Sequence, residues 1–322
     1  MKHPIFLMLF MSLFLWNCGQ EELMVEHGEI QKVYTVCLNF NGDIRTEESS
    51  LSRVETESRD LYGIQIYKDG NNFAAGLFDN IDGVFVNLLA GGSYKFVCTL
   101  VMDGKDILYH SKNLGPACYS ITLPFNYGNS STDLNSFYYS DDNMDALNSS
   151  YVTLPPPPSG GDAPYKARCA EIDRFYGEVD NYTPSVNGIV SLELKRVSFG
   201  IKVKVSNITD GDVSVKCYNG YNTFIDVSEL TSNYESEGAL FSMANVYDAW
   251  QYSSNYLENI TMSVTWNRGV GVTQSWTKTV QIKRNVMNTI RIKLGADDND
   301  IGVGVTPEGG EMENEDEEIP LG

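Results

Sequence analysis

The chain has 322 residues, 42% of them hydrophobic and 20% charged, a balance that supports a buried core and excludes a wholly disordered chain. Its 43 acidic and 23 basic residues give a formal net charge of −20, which argues against a nucleic-acid partner and against electrostatic binding to anionic lipid. At about 100–200 residues per domain, the length predicts two domains.

The chain begins like a secreted protein. Lys2 supplies a positive start, and Ile5–Trp16 is almost unbroken apolar sequence. Such a run is too short to span a bilayer, which takes about 20 residues, and is typical of a signal-peptide core. Cys18 follows this core closely, and the next charged residues are Glu21 and Glu22.

This arrangement resembles the lipobox of bacterial lipoproteins, although Trp16 and Asn17 are larger than the residues usual before that cysteine. The resemblance implies cleavage before Cys18, a diacylglycerol and an acyl chain such as palmitate on this residue, and display on the cell outer membrane. Two or more acyl chains anchor a protein stably. We predict a lipoprotein signal peptide over residues 1–17 and a lipidated tether over residues 18–30. The alternative is an ordinary signal peptide with a chance cysteine.

Short apolar runs separated by turn signals predict β-strands through the first half of the chain. The runs are rich in Tyr, Phe and Val, as strands prefer, and Asp-Gly pairs mark several of the turns. No comparably long stretch has a helical period. The predicted strands are Val33–Phe40, Leu61–Tyr67, Val84–Leu89, Tyr94–Met102, Cys118–Pro124 and Arg174–Val179.

Residues 126–165 differ from their surroundings, since Asn, Ser, Asp and Tyr dominate them and Pro155–Pro158 favours an extended polyproline segment. This composition predicts a long surface insertion. A second β-rich region begins near Gly188 and includes one short helix, predicted around Met243–Trp250. Its predicted strands are Ile189–Leu194, Gly200–Val205, Val213–Tyr218, Met262–Trp266, Thr273–Lys283 and Thr289–Leu294.

Together these elements predict an all-β protein with two tandem β-sandwich domains. The first domain spans residues 31–185 and carries the Pro-rich insertion, and the second spans residues 186–296. Residues 297–322 form an acidic tail, which is expected to be disordered because its like charges repel one another.

Residue types that bind metals are sparse. Apart from the anchor cysteine, the five cysteines are widely spaced and form no C-x-x-C pair or Cys/His cluster, so no zinc site is expected. Cys37, Cys98 and Cys217 lie in apolar alternating runs and are expected to be buried small hydrophobes rather than disulfides. The acidic clusters 141–145 and 297–300 lack the EF-hand spacing, so solvated loops and no metal site are predicted.

Catalytic patterns are equally sparse. The mature chain has two histidines, His27 and His110, which nearly excludes acid–base catalysis by histidine and leaves carboxylate pairs possible. Ser275-Trp276-Thr277-Lys278 matches S-x-x-K, but that nucleophile pattern needs a helix start and this stretch is predicted to be a strand. We therefore expect no enzyme, no catalytic residue and no cofactor.

Several stretches resemble the fimbrillin-like lipoproteins of Bacteroidetes, which are subunits of donor-strand pili. Leu51–Val54 resembles the short arginine-containing motif before the first retained strand. Asp60–Tyr67 and Gly76–Asp79 resemble the opening of the N-terminal domain in that family. Leu194–Val203 resembles the opening of the C-terminal domain, and Lys283–Thr289 resembles its closing hairpin.

The resemblance implies two transthyretin-like β-sandwiches and a protease that cuts after an arginine. Cleavage removes the first strand and opens a groove, which a neighbouring subunit's strand then fills. On this chain Arg53 is the candidate cleavage position and Val33–Phe40 the removed strand. Physical chemistry agrees, because removing a strand leaves two open edges and an apolar trough. The alternative is a permanent strand and an ordinary loop arginine, as expected for an anchor or accessory subunit.

The implied partners are other fimbrial subunits, the outer membrane through the lipid, and a glycan or protein on a host or bacterial surface. Ile301–Val305 could serve as a donor strand, but its glycines would pack poorly in a groove, which favours a tip or accessory role.

A glycan-binding surface lipoprotein is the alternative function. Trp266 and Trp276 flank the turn at 269–271 and could stack on sugars if both were exposed. A fimbrial subunit predicts buried indoles instead, since tryptophans in sandwiches usually belong to the core.

Overall fold

The computed structural model describes residues 23–26, 29–42, 59–107, 110–113, 119–122, 126–127, 130–131, 134–139, 173–219, 222–268, 271–295 and 301–308. Cys18 and Arg53, the predicted lipidation and cleavage residues, lie outside these ranges, as do Cys118, Cys169 and both acidic clusters. Strands make up most of the described chain, so the predicted all-β fold is confirmed.

The described elements follow one another in two groups. The first contains β1 (Leu23–Glu26), β2 (Glu29–Gly42), β3 (Leu61–Lys68), β4 (Asn71–Phe78), β5 (Phe85–Leu89), β6 (Tyr94–Val101), helix α1 (Gly104–Ile107), β7 (His110–Asn113), β8 (Tyr119–Thr122), β9 (Asn126–Tyr127), β10 (Ser130–Ser131), β11 (Ser136–Tyr138), β12 (Arg174–Tyr182) and β13 (Gly188–Arg196). The second contains β14 (Ser198–Ser206), β15 (Asp212–Asn219), β16 (Asn222–Leu230), β17 (Tyr234–Glu235), β18 (Ala239–Ser242), helix α2 (Val246–Gln251), β19 (Leu257–Asn267), β20 (Thr273–Lys283), β21 (Met287–Leu294) and β22 (Ile301–Glu308).

Several strands lie where the sequence predicted none. β1 and the start of β2 fall in the predicted tether, where they pair as a hairpin from Leu23↔Lys32 to Glu26↔Glu29. β11 falls in the predicted insertion and pairs with β4, so this part of the insertion belongs to the sheet. β22 falls in the predicted acidic tail and pairs with β21 along its whole length, so the second domain extends past residue 296.

The first group forms two layers of strands. In one layer β2 lies between β5, its antiparallel neighbour, and β13, its parallel neighbour. The other layer has the order β12-β6-β3-β4-β11, and a short pairing of β12 with β13 joins the two layers. Both layers point apolar side chains into one core, whose buried members include Val36, Leu38, Ile64, Phe96 and Leu192. We call these strands and their core the first unit.

The second group repeats this plan. In one sheet β14 pairs in parallel with β21 and antiparallel with β17 and β18, and β22 pairs with the far side of β21. The facing sheet has the order β16-β15-β19-β20. Their shared core includes Val203, Val215, Val264, Trp266 and Ile290. We call these strands, with α2, the second unit.

A single residue, Val197, joins β13 to β14. Its backbone N–H donates to the Arg174 carbonyl oxygen at 2.8 Å, and the guanidinium of Arg196 donates to the Asp173 carboxylate at 2.7 and 2.6 Å. β13 falls in the predicted second domain, but it pairs with β2 and packs in the first core. Sequence alternation identifies a strand without naming its partner, so the boundary moves from residue 186 to Val197.

Both helices in the described ranges are short. α2 begins at Asn245, whose side-chain oxygen accepts a hydrogen bond from the Asp248 backbone N–H at 3.1 Å, a standard N-cap. Of the helices in these ranges, neither is long and apolar enough to cross a membrane.

Candidate functional site

The candidate site is strand β2, the strand that the sequence resemblance marks for removal. Its alternating sequence directs Val36 and Leu38 into the first core, where both are buried, and Phe40 packs against the Tyr62 ring with 5.9 Å between centroids. Burying one such side chain stabilises a fold by roughly 1.5–3 kcal/mol. The strand is therefore part of the core of the first unit.

Hydrogen bonds hold β2 along both edges. Five residue pairs join it to β5, from Val33↔Leu89 to Cys37↔Phe85, and seven join it to β13, from Val36↔Gly188 to Gly42↔Leu194. Because both edges are paired, removing β2 would leave two strands with open edges and an apolar trough between them.

Polar groups add to these ladders on the outer face. Asn187 Oδ1 accepts a hydrogen bond from the Thr35 backbone N–H at 2.9 Å, and Thr35 Oγ1 donates to Asn87 Oδ1 at 3.0 Å. The Leu38 N–H donates to the Val84 carbonyl oxygen at 2.8 Å. These contacts fix the register of β2 between its neighbours, since a slip of one residue would break them and turn the apolar face outward.

The end of β2 makes a close backbone approach. Gly42 has φ +111°, a conformation that side-chain-bearing residues rarely adopt, and a Cβ there would collide with the Leu194 carbonyl oxygen. In the sequence, the connection from β2 to β3 follows. Arg53 lies in this connection, whose residues 43–58 are outside the described ranges. Among the described elements, β1 and β2 alone precede Arg53 in the chain.

The candidate donor strand β22 is already paired. Its eight residues form an antiparallel ladder with β21, from Leu294↔Ile301 to Met287↔Glu308. In this structure the backbone of β22 therefore extends its own sheet.

The two tryptophans do not form the exposed platform that the alternative glycan-binding function requires. Trp266 is only 2% exposed, and its Nε1–H donates to the Asp210 carbonyl oxygen at 2.8 Å. Trp276 is half-buried against the second core, opposite Val264 in register. Alternation explains this outcome, because Met262, Val264 and Trp266 share the inward face of β19.

Three cysteines lie in the described ranges, and none of them forms a disulfide. Cys98 and Cys217 are buried, and burial raises the pKa of the Cys217 thiol to about 12 and shifts that of Cys98 in the same direction. A thiol is a poor nucleophile unless ionised, so these two act as small hydrophobes, as the sequence predicted. Cys37 is partly exposed on the outer face of β2, so the prediction that it is buried is wrong, because it alternates with the inward-facing Val36 and Leu38.

A polar cluster of β6 and β12 lies beside the second unit and was missed by sequence reasoning. Lys95 Nζ lies 2.6 Å from Glu178 Oε2, and the Tyr176 hydroxyl donates to the same carboxylate. Burial and then the Glu178 carboxylate raise the pKa of Tyr176, while for Lys95 the carboxylate outweighs burial and raises the pKa. The Tyr176 ring contacts Trp250 of α2, with 5.9 Å between centroids. The ring contact packs α2 of the second unit against β12, and the ion pair and hydrogen bond hold Tyr176 in place for it.

No protein-family model matches the sequence, and no curated protein matches it. Solved structures do match. One is a candidate cell adhesion protein from Bacteroides eggerthii, 12% identical, with a TM-score of 0.38, over 86% of this chain and 95% of that one.

Two further matches come from Porphyromonas gingivalis. The tip fimbrial protein Mfa3, with a C-terminal truncation, is 10% identical with a TM-score of 0.34, over 85% of this chain and 99% of its own. The fimbrial anchor protein Mfa2 is 11% identical with a TM-score of 0.35, over 88% of this chain and 100% of its own. The solved structures similar to this chain thus include fimbrial and cell adhesion proteins of Bacteroidetes, the group that the sequence motifs resemble.

Proposed function

We propose that this protein is a surface lipoprotein that acts as a fimbrial subunit or adhesin and assembles by strand exchange at β2. The observation that carries the proposal is the position of β2, which is central in its sheet and precedes the candidate cleavage residue Arg53. A cut there would leave β2 held by hydrogen bonds and packing alone.

Strand exchange is energetically plausible at this position. Loss of β2 would expose the apolar neighbours of Val36 and Leu38 and open the edges of β5 and β13. A strand from another chain with the same alternation would restore both hydrogen-bond ladders and rebury the trough. The incoming strand would make the same kinds of contacts that β2 makes. The net free-energy change of exchange is therefore small once the outgoing strand has been cut.

The pairing of β22 bears on whether this chain donates a strand or accepts one. A donor strand must leave its own fold, and β22 would break eight residue pairs with β21 to do so. This supports a subunit that accepts a strand without donating one, which is the tip or accessory role.

The lipid at Cys18 would serve export and the first attachment to the outer membrane. Signal cleavage before this residue would leave the chain tethered through its N-terminus, on the same side of Arg53 as β2. Cleavage at Arg53 followed by departure of β2 would therefore separate the retained fold from its anchor and expose the trough.

We propose further that the protein is not an enzyme. The S-x-x-K match lies in β20, where Ser275 faces outward and Lys278 lies on the opposite face, because residues three apart in a strand alternate sides. The two side chains cannot cooperate as nucleophile and base in that arrangement.

Limited digestion with an arginine-specific protease tests strand exchange. The sample is the full mature chain with Cys18→Ser, which prevents lipidation, and Arg53→Gln is the matched control. We expect one cut after Arg53 by intact mass. The cut protein should then bind a labelled peptide with the sequence of Glu29–Gly42, and the Arg53→Gln protein should not.

A second peptide serves as the specificity control. It carries Val36→Asp and Leu38→Asp, which place charges in the apolar trough and should abolish binding. Resistance to the protease would contradict the proposal. So would a cut protein that does not bind the wild-type peptide, or one that binds both peptides with equal affinity.

A further inference from the structure

A cavity of about 290 Å³ lies at one end of the first unit, where two of its lining residues, Val84 and Phe85, are backbone neighbours of β2. Two segments enclose it: the connection from β4 to β5, and the segment 134–137 that leads into and forms most of β11. β11 pairs with β4, and the Tyr139 hydroxyl accepts a hydrogen bond from the Asn87 N–H of β5 at 3.2 Å. The segment therefore bridges the two layers, and the cavity lies beneath this bridge.

Aromatic rings form the apolar wall of the cavity. Phe78 and Val84 are buried at its floor, and Phe137 packs on Phe78 with 4.9 Å between ring centroids. Phe85 stands at the rim with 58% of its surface exposed, and its ring lies beside Gly83, where an added Cβ would be 3.3 Å from it. A large exposed ring beside a cavity offers a flat apolar surface to a ligand.

The polar rim is held rigidly by Asn135, which has φ +63°. Its Oδ1 accepts hydrogen bonds from the backbone N–H groups of Asp79 and Asn80, both at 3.1 Å. Its Nδ2 donates to the Asp79 carboxylate at 2.7 Å, and Lys105 Nζ lies 2.6 Å from the same carboxylate. Asn80 Oδ1 accepts from the Asp82 N–H at 2.9 Å. The loop is thus organised before any ligand arrives.

We propose that this cavity binds a neutral monosaccharide unit of a glycan. A pyranose ring has an apolar C–H face that suits Phe85 and Phe137, and hydroxyl groups that suit the Asn80 amide and the Asp82 carboxylate. An anionic ligand fits poorly, because Asp82 lines the cavity and Asp79 engages the nearby Lys105. A wholly apolar ligand would cover the Asp82 carboxylate of the lining without offering it a hydrogen bond, which is costly.

This inference goes beyond the proposed function, since every lining residue lies outside β2. Strand exchange could fail while the cavity binds sugar, and the reverse also holds. Aromatic walls with a few convergent polar groups are typical of small-molecule sites.

Saturation-transfer NMR with neutral methyl glycosides of glucose, galactose, mannose and N-acetylglucosamine tests the proposal. The sample is the full mature chain carrying Cys18→Ser. We expect transfer to the ring C–H protons of at least one glycoside. Phe85→Ala should weaken its affinity by about tenfold or more, because the stacking surface is lost. The matched control is Tyr252→Ala in the second unit, an aromatic residue that is 56% exposed, and it should leave affinity unchanged.

The variant Asp82→Asn tests the polar rim, because it removes the carboxylate charge and leaves the size of the side chain unchanged. It should weaken binding of the neutral glycoside several-fold, and methyl glucuronide should bind the wild-type protein more weakly than methyl glucoside does. The proposal is overturned if no glycoside gives transfer at tens of millimolar, if Phe85→Ala binds as tightly as the wild-type protein, or if the glucuronide binds as well as the neutral sugars.

Discussion

β2 and β14 occupy equivalent positions in the two units but are attached to the chain differently. β2 lies between antiparallel β5 and parallel β13, and β14 lies between antiparallel β17 and β18 and parallel β21. β14 continues from β13 through Val197 and from there into β15, so the chain holds it at both ends. β2 is followed by the long connection that contains Arg53. Under the proposed function, a cut at Arg53 would make this position releasable in the first unit, whereas β14 would stay joined to the chain at both ends.

The largest expected effect concerns the unit that cleavage should leave intact. Trp266→Ala removes a buried side chain from the second core and should lower the free energy of unfolding by about 3–5 kcal/mol. Urea denaturation followed by fluorescence measures this value, before and after cleavage at Arg53, and the loss should be the same in both states. Thr277→Ala, an exposed position on β20, is the control and should stay within about 0.5 kcal/mol of the wild-type value. A Trp266→Ala loss that depends on cleavage would show that the units are not independent.

A comparably large effect is expected in β2, but only while β2 is in place. Leu38→Ala should destabilise the uncut first unit by about 2–5 kcal/mol, because it leaves a cavity under the strand. In protein cut at Arg53 and supplied with wild-type Glu29–Gly42 peptide, the variant should melt like the wild-type complex, since the altered strand has been replaced. Differential scanning calorimetry compares the two. If the Leu38→Ala protein still melted at a lower temperature than the wild-type protein after exchange, the original β2 would not have been replaced by the peptide.

A smaller effect is expected at the edge between β2 and β13. Asn187→Ala removes the hydrogen bond to the Thr35 N–H and should cost about 0.5–1 kcal/mol. It should also speed exchange of the labelled peptide into cut protein, measured by fluorescence anisotropy. Asn233→Ala is a matched control in the second unit, where the Asn233 side chain accepts from the Asn207 N–H at 3.0 Å. Equal acceleration by both variants would contradict a local role for Asn187.

The smallest effect is a pH dependence near β5, the antiparallel neighbour of β2. The hydrogen bond from Lys105 lowers the pKa of Asp79 below its usual value of 3.8, outweighing burial, and Asn135 acts in the same direction as Lys105. A carboxyl with a lowered pKa stabilises the fold above its unfolded pKa, and this contribution is lost as the pH falls through the folded value. Lys105→Met should therefore lose less stability than the wild-type protein between about pH 6 and about pH 3. Urea midpoints at the two pH values measure the difference. A pH dependence equal to that of the wild-type protein would show that the Lys105–Asp79 pair does not contribute.

Many strands could be predicted from local sequence patterns, because the alternation of apolar and polar residues within a strand shows which of its side chains are buried. The alternation of Met262, Val264 and Trp266 was visible in the sequence, and it correctly implies a buried Trp266. β4 escaped prediction because its sequence, Asn-Asn-Phe-Ala-Ala-Gly-Leu-Phe, has few residues that favour strands. The Asp69-Gly70 turn folds it back onto β3, and that pairing makes it a strand.

Of the candidate sites, one could be predicted from the sequence and the other only from the structure. Arg53 and β2 were predicted from motifs in the sequence, and the structure adds that β2 has a neighbour on each edge. The cavity beneath Phe137 was not predicted, because residues 78–85 and 134–137 lie about fifty residues apart and a composition rich in Asn and Ser predicts only a surface loop.

The sequence by itself determined the all-β class, the inward faces of the strands and the acidic surface, because alternation and charge are local properties of the chain. Tertiary structure decided which strands are neighbours. It placed β13 beside β2 rather than in the second unit, β22 beside β21 rather than in a tail, and the rim of the cavity around Asn135. Strand partners depend on backbone hydrogen bonds between distant residues, and every strand offers the same donors and acceptors to any partner.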